Sequence, residues 1–146
     1  MVDSGRFLTL GEDIPMQLIR SIPLLLFVFL AYNAVMMTGT GNLDGVLFQE
    51  TLLSGAHWTF TTSDLLLTLA LVALGGEVVK STRSGNASII DHALSMLLFV
   101  AFLVEFIGYS AAGTTTFFLM TLMSFIDVLA GFTVTISSAR RDVGYN

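Results

Sequence analysis

Four long stretches of apolar residues are separated by short polar ones along the chain. The first runs from about Ser21 to Gly39, SIPLLLFVFLAYNAVMMTG; the second from about Ser63 to Val79, SDLLLTLALVALGGEVV. The third runs from about Ser88 to Ser110, SIIDHALSMLLFVAFLVEFIGYS, and the fourth from about Thr115 to Ser137, TTFFLMTLMSFIDVLAGFTVTIS. A bilayer core of about 30 Å is crossed by about 20 mostly apolar residues in a helix. Lipid offers no partner for backbone N–H and C=O groups, and a helix satisfies them internally. Barrel strands would show short alternating segments, whereas these runs are continuous. The pattern therefore predicts an all-α integral membrane protein, a four-transmembrane-helix bundle with residues 1–146 as a single membrane domain. The second run is the shortest and ends in Gly75, Gly76 and Glu77. It has room to borrow Trp58 to Thr62 for its outer turn.

The connections complete the picture. Before the first run, DIPMQLIR from Asp13 reads as a capped helical start with Pro15 in its first turn. Ile14, Leu18 and Ile19 there would lie against headgroups as a short interfacial helix. Pro23 falls in the first turn of the first run, where its missing N–H does little harm. The segment LDGVLFQETLL in the long loop 40–62 suggests a second short amphipathic helix on the membrane surface, and Trp58 suits an interface. Loop 80–87 is a polar turn with Asn86 or Ser88 as the following cap. Residues 111–114 are so few that the third and fourth helices must form an antiparallel hairpin. The first run is preceded by acids as well as arginines and is followed by no small-x-small cleavage site, so it reads as a retained span rather than a signal peptide.

Charge orients the bundle. All six basic residues, Arg6, Arg20, Lys80, Arg83, Arg140 and Arg141, fall on one side of a four-span arrangement. The opposite loops contain no Lys or Arg, and the long one carries Asp44 and Glu50. Basic residues mark cytoplasmic loops, so both termini are expected in the cytoplasm. A bacterial inner membrane is the expected location.

Composition narrows the chemistry. Apolar residues make up 54% of the chain and charged ones 12%, half the charged share of a soluble domain; the mean hydropathy is +0.83. The net charge of −5 offers no basic surface to a nucleic acid. There are no cysteines, which removes disulfides, thiolate metal sites and iron–sulfur clusters. The two histidines, His57 and His92, fall near opposite membrane faces in this topology and cannot jointly ligate a haem or a metal. His92, beside Asp91, reads as an interfacial polar residue. No nucleophile–base pair or phosphate loop is present. No cofactor, metal or catalytic residue is expected, and the chain is expected not to be an enzyme.

Ionisable groups inside a membrane are costly and face protein or water. At 1.5 Å per residue, Asp127 lies roughly 18 Å below the outer end of its span and Glu105 roughly 24 Å above the inner end of its own. Glu77 lies about 10 Å from the cytoplasmic edge, and Asp91 nearer still. Asp91 fits a helix start, and Glu77 can snorkel or pair with Lys80. Asp127 has no such explanation and should be buried in protein. Its neighbours Thr121, Ser124, Gly131 and Thr135 share its helical face. Asp91, Ser95, Ala101, Glu105 and Gly108 form a matching stripe on the third run. Small residues and hydroxyls of this kind draw membrane helices together, and Asn33 lies at the right depth to partner Asp127.

The residues that matter are therefore expected to be Asp127, Glu105, Glu77, Asn33, Ser124 and Thr121, either as helix-docking groups or as an ion path. The first function they suggest is a non-catalytic subunit that scaffolds or regulates a membrane assembly, or self-associates. Its partners would be the lipid bilayer and other membrane subunits or copies of itself. The second is a small proton- or cation-coupled transporter or channel using Asp127 with Glu105 and Glu77. A phenylalanine-rich bundle that binds a lipophilic ligand is a third.

Overall fold

The structure, a computed structural model, describes residues 21–38, 42–81 and 86–143. Its four helices are α1 (Leu24–Met37), α2 (Thr62–Ser81), α3 (Asn86–Gly108) and α4 (Thr115–Val143). An antiparallel hairpin, β1 (Val46–Thr51) and β2 (His57–Thr61), joins α1 to α2. A single 3₁₀ turn, Ser110–Ala112, joins α3 to α4. Helices α2, α3 and α4 are each long and apolar enough to cross a membrane; α1 is a shorter apolar helix. The lead-in before residue 21, with the turn expected at Ile14, Leu18 and Ile19, lies outside the described residues. So do the side chains of Asn86, Ser88 and Thr135.

Each boundary has a local cause. Pro23 stands just before α1, in the extended conformation, rather than within its first turn. It restricts Ile22 to extended backbone, so the helix starts at Leu24, three residues later than the hydropathy run. At 14 residues α1 is about 21 Å long, short of the span expected over 21–39. Thr61 begins α2: its N–H and hydroxyl both donate to the Asp64 carboxylate at 2.9 and 2.7 Å, and the Asp64 N–H donates back to its Oγ1 at 3.3 Å. This reciprocal cap ends the strand and starts the helix in one residue. Thr114 caps α4 by accepting from the Phe117 N–H at 3.1 Å. At its far end α4 runs beyond Ser137, because ISSARRDV offers no Pro or Gly to stop it.

The loop between α1 and α2 corrects the expectation of an all-α chain. LDGVLFQETLL forms no surface helix, and Trp58 lends no turn to α2. Instead Phe48 pairs with Phe60 and Glu50 with Trp58 across the ladder, with an irregularity between Val46 and Phe48. The run HWTFT is aromatic and β-branched, the composition that suits a pleated strand. Between the strands the chain reverses through Leu52–Gly55: Gly55 N–H donates to Leu52 O at 2.8 Å, and Leu52 N–H to Ala56 O at 2.9 Å. Gly55 takes φ +83°, a backbone state that glycine enters without a Cβ clash.

Helix α4 packs against both α3 and α2, and α1 lies along α2. Near the hairpin end the core is aromatic. Phe29 meets Phe102 edge-on at 4.7 Å, and Phe117 touches Tyr32 at 4.7 Å and Phe102 at 5.3 Å. These rings tie α1, α3 and α4 together, with Leu25, Leu66, Ala70 and Met120 buried around them. The Tyr32 hydroxyl donates to Ala111 O at 3.0 Å and lies 2.7 Å from Thr114 Oγ1. At the opposite end Leu24 N–H meets Glu77 of α2. Helix α1 therefore runs from the Lys80 end of the bundle toward the hairpin end, alongside the three longer helices.

Candidate functional site

Among the described residues, the charged side chains packed between the helices fall into two groups. The larger sits at the end opposite the hairpin and centres on Lys80 of α2. Its ammonium lies 3.5 Å from Glu77 Oε2 and 3.5 Å from Asp91 Oδ1, and donates to Ile22 O at 3.3 Å. Glu77 is buried, with 4% of its surface exposed, so it does not snorkel. Its other oxygen, Oε1, accepts from the Leu24 N–H. A carboxylate on α2 thus caps the positive end of α1, where orphan N–H groups and the helix dipole favour an anion. Gly76 makes room for this contact. A Cβ there would come within 2.7 Å of Leu24 Cδ1.

Across this group α3 and α4 bring a second layer. Asp127 of α4 lies beside Ser95, His92 and Asp91 of α3 and faces Lys80 of α2. Asp127 is 5% exposed, so its expected burial inside protein is what the fold provides. The half-buried His92 ring lies on Gly131, where a Cβ would come within 2.3 Å of two ring atoms. Glycine is what lets an imidazole enter between α3 and α4. Among the described residues, four buried side-chain atoms at this end have no hydrogen-bond partner: Asp91 Oδ1, which only faces Lys80 at 3.5 Å, Asp127 Oδ2, Ser124 Oγ and His92 Nε2.

The smaller group lies nearer the hairpin. Asn33 of α1 donates from Nδ2 to Glu105 Oε2 at 3.2 Å and to Phe29 O at 3.2 Å. Asn33 therefore partners Glu105 rather than Asp127. Helix α1 begins level with Glu77, and Asn33, nine residues further on, comes level with Glu105. The second oxygen of Glu105 is buried without a hydrogen-bond partner.

The expected α4 stripe is buried at Thr121, Ser124, Asp127 and Gly131. Thr121 bonds within its own helix, to Phe117 O at 2.9 Å, so its hydroxyl reaches no other helix. The α3 stripe holds at Ser95 and, half-buried, at Asp91 and Glu105, but Ala101 and Gly108 are exposed. Leu98 and Phe102 take the inward positions instead, since apolar bulk fills the aromatic half better than an alanine does. Sequence reasoning gave Lys80 only its pairing with Glu77. It overlooked Ser95 as the neighbour of Asp127 and His92 as a packed residue. The spacing of Asp91, His92 and Ser95 along one helix was the signal available. Among the described residues no set of three or more His, Asp or Glu side chains is placed to hold a metal ion.

No protein-family model matches the chain, and neither does any curated protein or solved structure.

Proposed function

We propose that the chain is a non-catalytic integral membrane subunit that docks onto a larger membrane assembly, or onto a copy of itself, through the tip of the β-hairpin. In this reading all four helices cross a bacterial inner membrane, with both termini in the cytoplasm. Support for four crossings comes from α1, which runs antiparallel to α2 from the level of Glu77 toward Thr114. Lys80, paired with Glu77 and Asp91, lies at the end that the charge pattern assigns to the cytoplasm.

The observation that carries the docking role is the hairpin. Leu53 at its tip is fully exposed, and Val46, Leu47 and Leu52 are about half exposed. Exposed apolar surface of this kind on the watery side of a membrane marks an interaction site. Lys80, Glu77 and Asp91, by contrast, are directed at one another inside the chain. The test is purification in mild detergent from native membranes, comparing the natural chain with Leu53→Glu. A partner, or a second copy, should accompany the former and be lost from the latter. A natural chain that elutes as a lone monomer at native expression overturns the proposal.

A second reading, a proton- or cation-coupled path through Asp127, draws on the buried atoms without hydrogen-bond partners: Asp127 Oδ2 and Ser124 Oγ at one level and Glu105 Oε1 at another. Here Asp127 carries the ion, Glu105 serves one mouth and Glu77 the other. Flux in proteoliposomes should fall with Asp127→Asn; unchanged flux removes this role.

A further inference from the structure

We propose that the groove beneath the aromatic face of the hairpin binds a membrane lipid through an ammonium-bearing headgroup. The inference rests on α2 and α4 lying in a bilayer and is independent of what docks on the hairpin tip. The groove has a volume of about 290 Å³. Trp58, Phe60 and Asp64 form its mouth, and Leu67, Leu71 and Met123 of α4 form its floor. From Asp64 to Leu71 the floor descends about 10 Å along α2. An acyl chain lying on these side chains would place its headgroup beside the hairpin.

The chemistry of the mouth selects the headgroup. Asp64 is held in place by two hydrogen bonds from Thr61, at 2.9 and 2.7 Å. Its carboxylate is thus oriented before any ligand arrives. The indole of Trp58 is 46% exposed and is braced edge-on against Phe48 at 5.3 Å. An oriented carboxylate beside an exposed indole is the combination that attracts an ammonium group, by charge and through the ring quadrupole. No Lys or Arg occurs between Ser21 and Val79, while Asp44, Glu50 and Asp64 all belong to this end. A purely anionic headgroup finds no cation in the groove and meets the repelling charge of Asp64. A zwitterionic lipid such as phosphatidylethanolamine presents the complementary group.

Trp58 is the chain's only tryptophan, so its fluorescence reports on this groove alone. The full chain is reconstituted in phosphatidylglycerol vesicles doped with a small, equal share of dibrominated phosphatidylethanolamine or dibrominated phosphatidylglycerol, whose bromines quench a neighbouring indole. The ethanolamine lipid should quench about threefold more strongly, the ratio expected of a weak ammonium–aromatic and ammonium–carboxylate contact. Asp64→Asn retains an oxygen to accept from Thr61 and removes only the charge; it should abolish the difference. Asp44→Asn removes the same charge away from the groove and should preserve it. Equal quenching by the two lipids in the natural chain overturns the proposal, and does so whether or not either variant inserts. A preference that survives Asp64→Asn, or that Asp44→Asn abolishes equally, overturns it as well. The second outcome would reduce the effect to general surface charge.

Discussion

The two ends of the bundle are held by different physics. Near the hairpin, rings from α1, α3 and α4 meet edge-on or tilted, and their packing makes no electrostatic demand. At the Lys80 end α2, α3 and α4 meet through one ammonium, three carboxyls and an imidazole, and α1 is held there by Glu77. Aromatic packing tolerates a lost neighbour by partial collapse. A buried charge network does not, because removing one member strands the others. The aromatic end therefore supplies cohesion. The charged end supplies a specific alignment: Glu77 fixes where α1 begins, and Lys80 fixes α2 against α3.

The largest expected effect is at the charged end. Lys80→Met leaves Glu77 and Asp91 facing each other without a cation, and should lower stability by about 3–5 kcal/mol. Thermal unfolding in detergent followed by circular dichroism measures it. Combining Lys80→Met with Glu77→Gln and Asp91→Asn should recover much of the loss, since the whole network is then neutral. If the triple variant is no more stable than the single one, the contrast between the two ends fails. At the aromatic end, Phe102→Ala should cost about 3 kcal/mol by opening a cavity among Phe29 and Phe117. No second substitution among the charges should compensate for it.

Smaller effects sharpen the comparison. Gly131→Ala pushes a methyl into the His92 ring and should cost about 1–3 kcal/mol. His92→Ala in the same chain should relieve most of this, and a double-mutant cycle of melting temperatures reads the coupling directly. Thr61→Val removes one donor to Asp64 and the acceptor of the Asp64 N–H, and should cost about 1 kcal/mol as a lost helix cap. Its effect should be confined to the junction of β2 and α2, visible as faster amide hydrogen exchange over Thr61–Leu65 with the Lys80 end unchanged.

The helices were legible because hydropathy reports a one-dimensional property: a long apolar run must be helical wherever backbone groups lack water. The antiparallel α3–α4 connection followed from four loop residues. Burial of Asp127, and the pairing of Glu77 with Lys80, followed from the high cost of unpaired charge. The hairpin was hidden. LDGVLFQETLL is short and lacks a strict period, and its strand character depends on HWTFT pairing with it across a turn set by Gly55. The partner of Asn33 was hidden for a related reason. Depth counted along each helix does not fix the offset between helices, which for α1 is set by the contact of Leu24 with Glu77.

Chain composition and the order of its apolar runs determined where the long apolar helices form and that Asp127 is buried, because each depends on the energy of a residue in its own surroundings. Tertiary structure alone decided that Glu77 caps α1, that Lys80 bridges α2 to α3, that Ser95 rather than Asn33 meets Asp127, and that His92 rests on Gly131. Those are contacts between residues up to 53 positions apart. They are set by helix rotation and offset, which no single helix determines until the others pack against it.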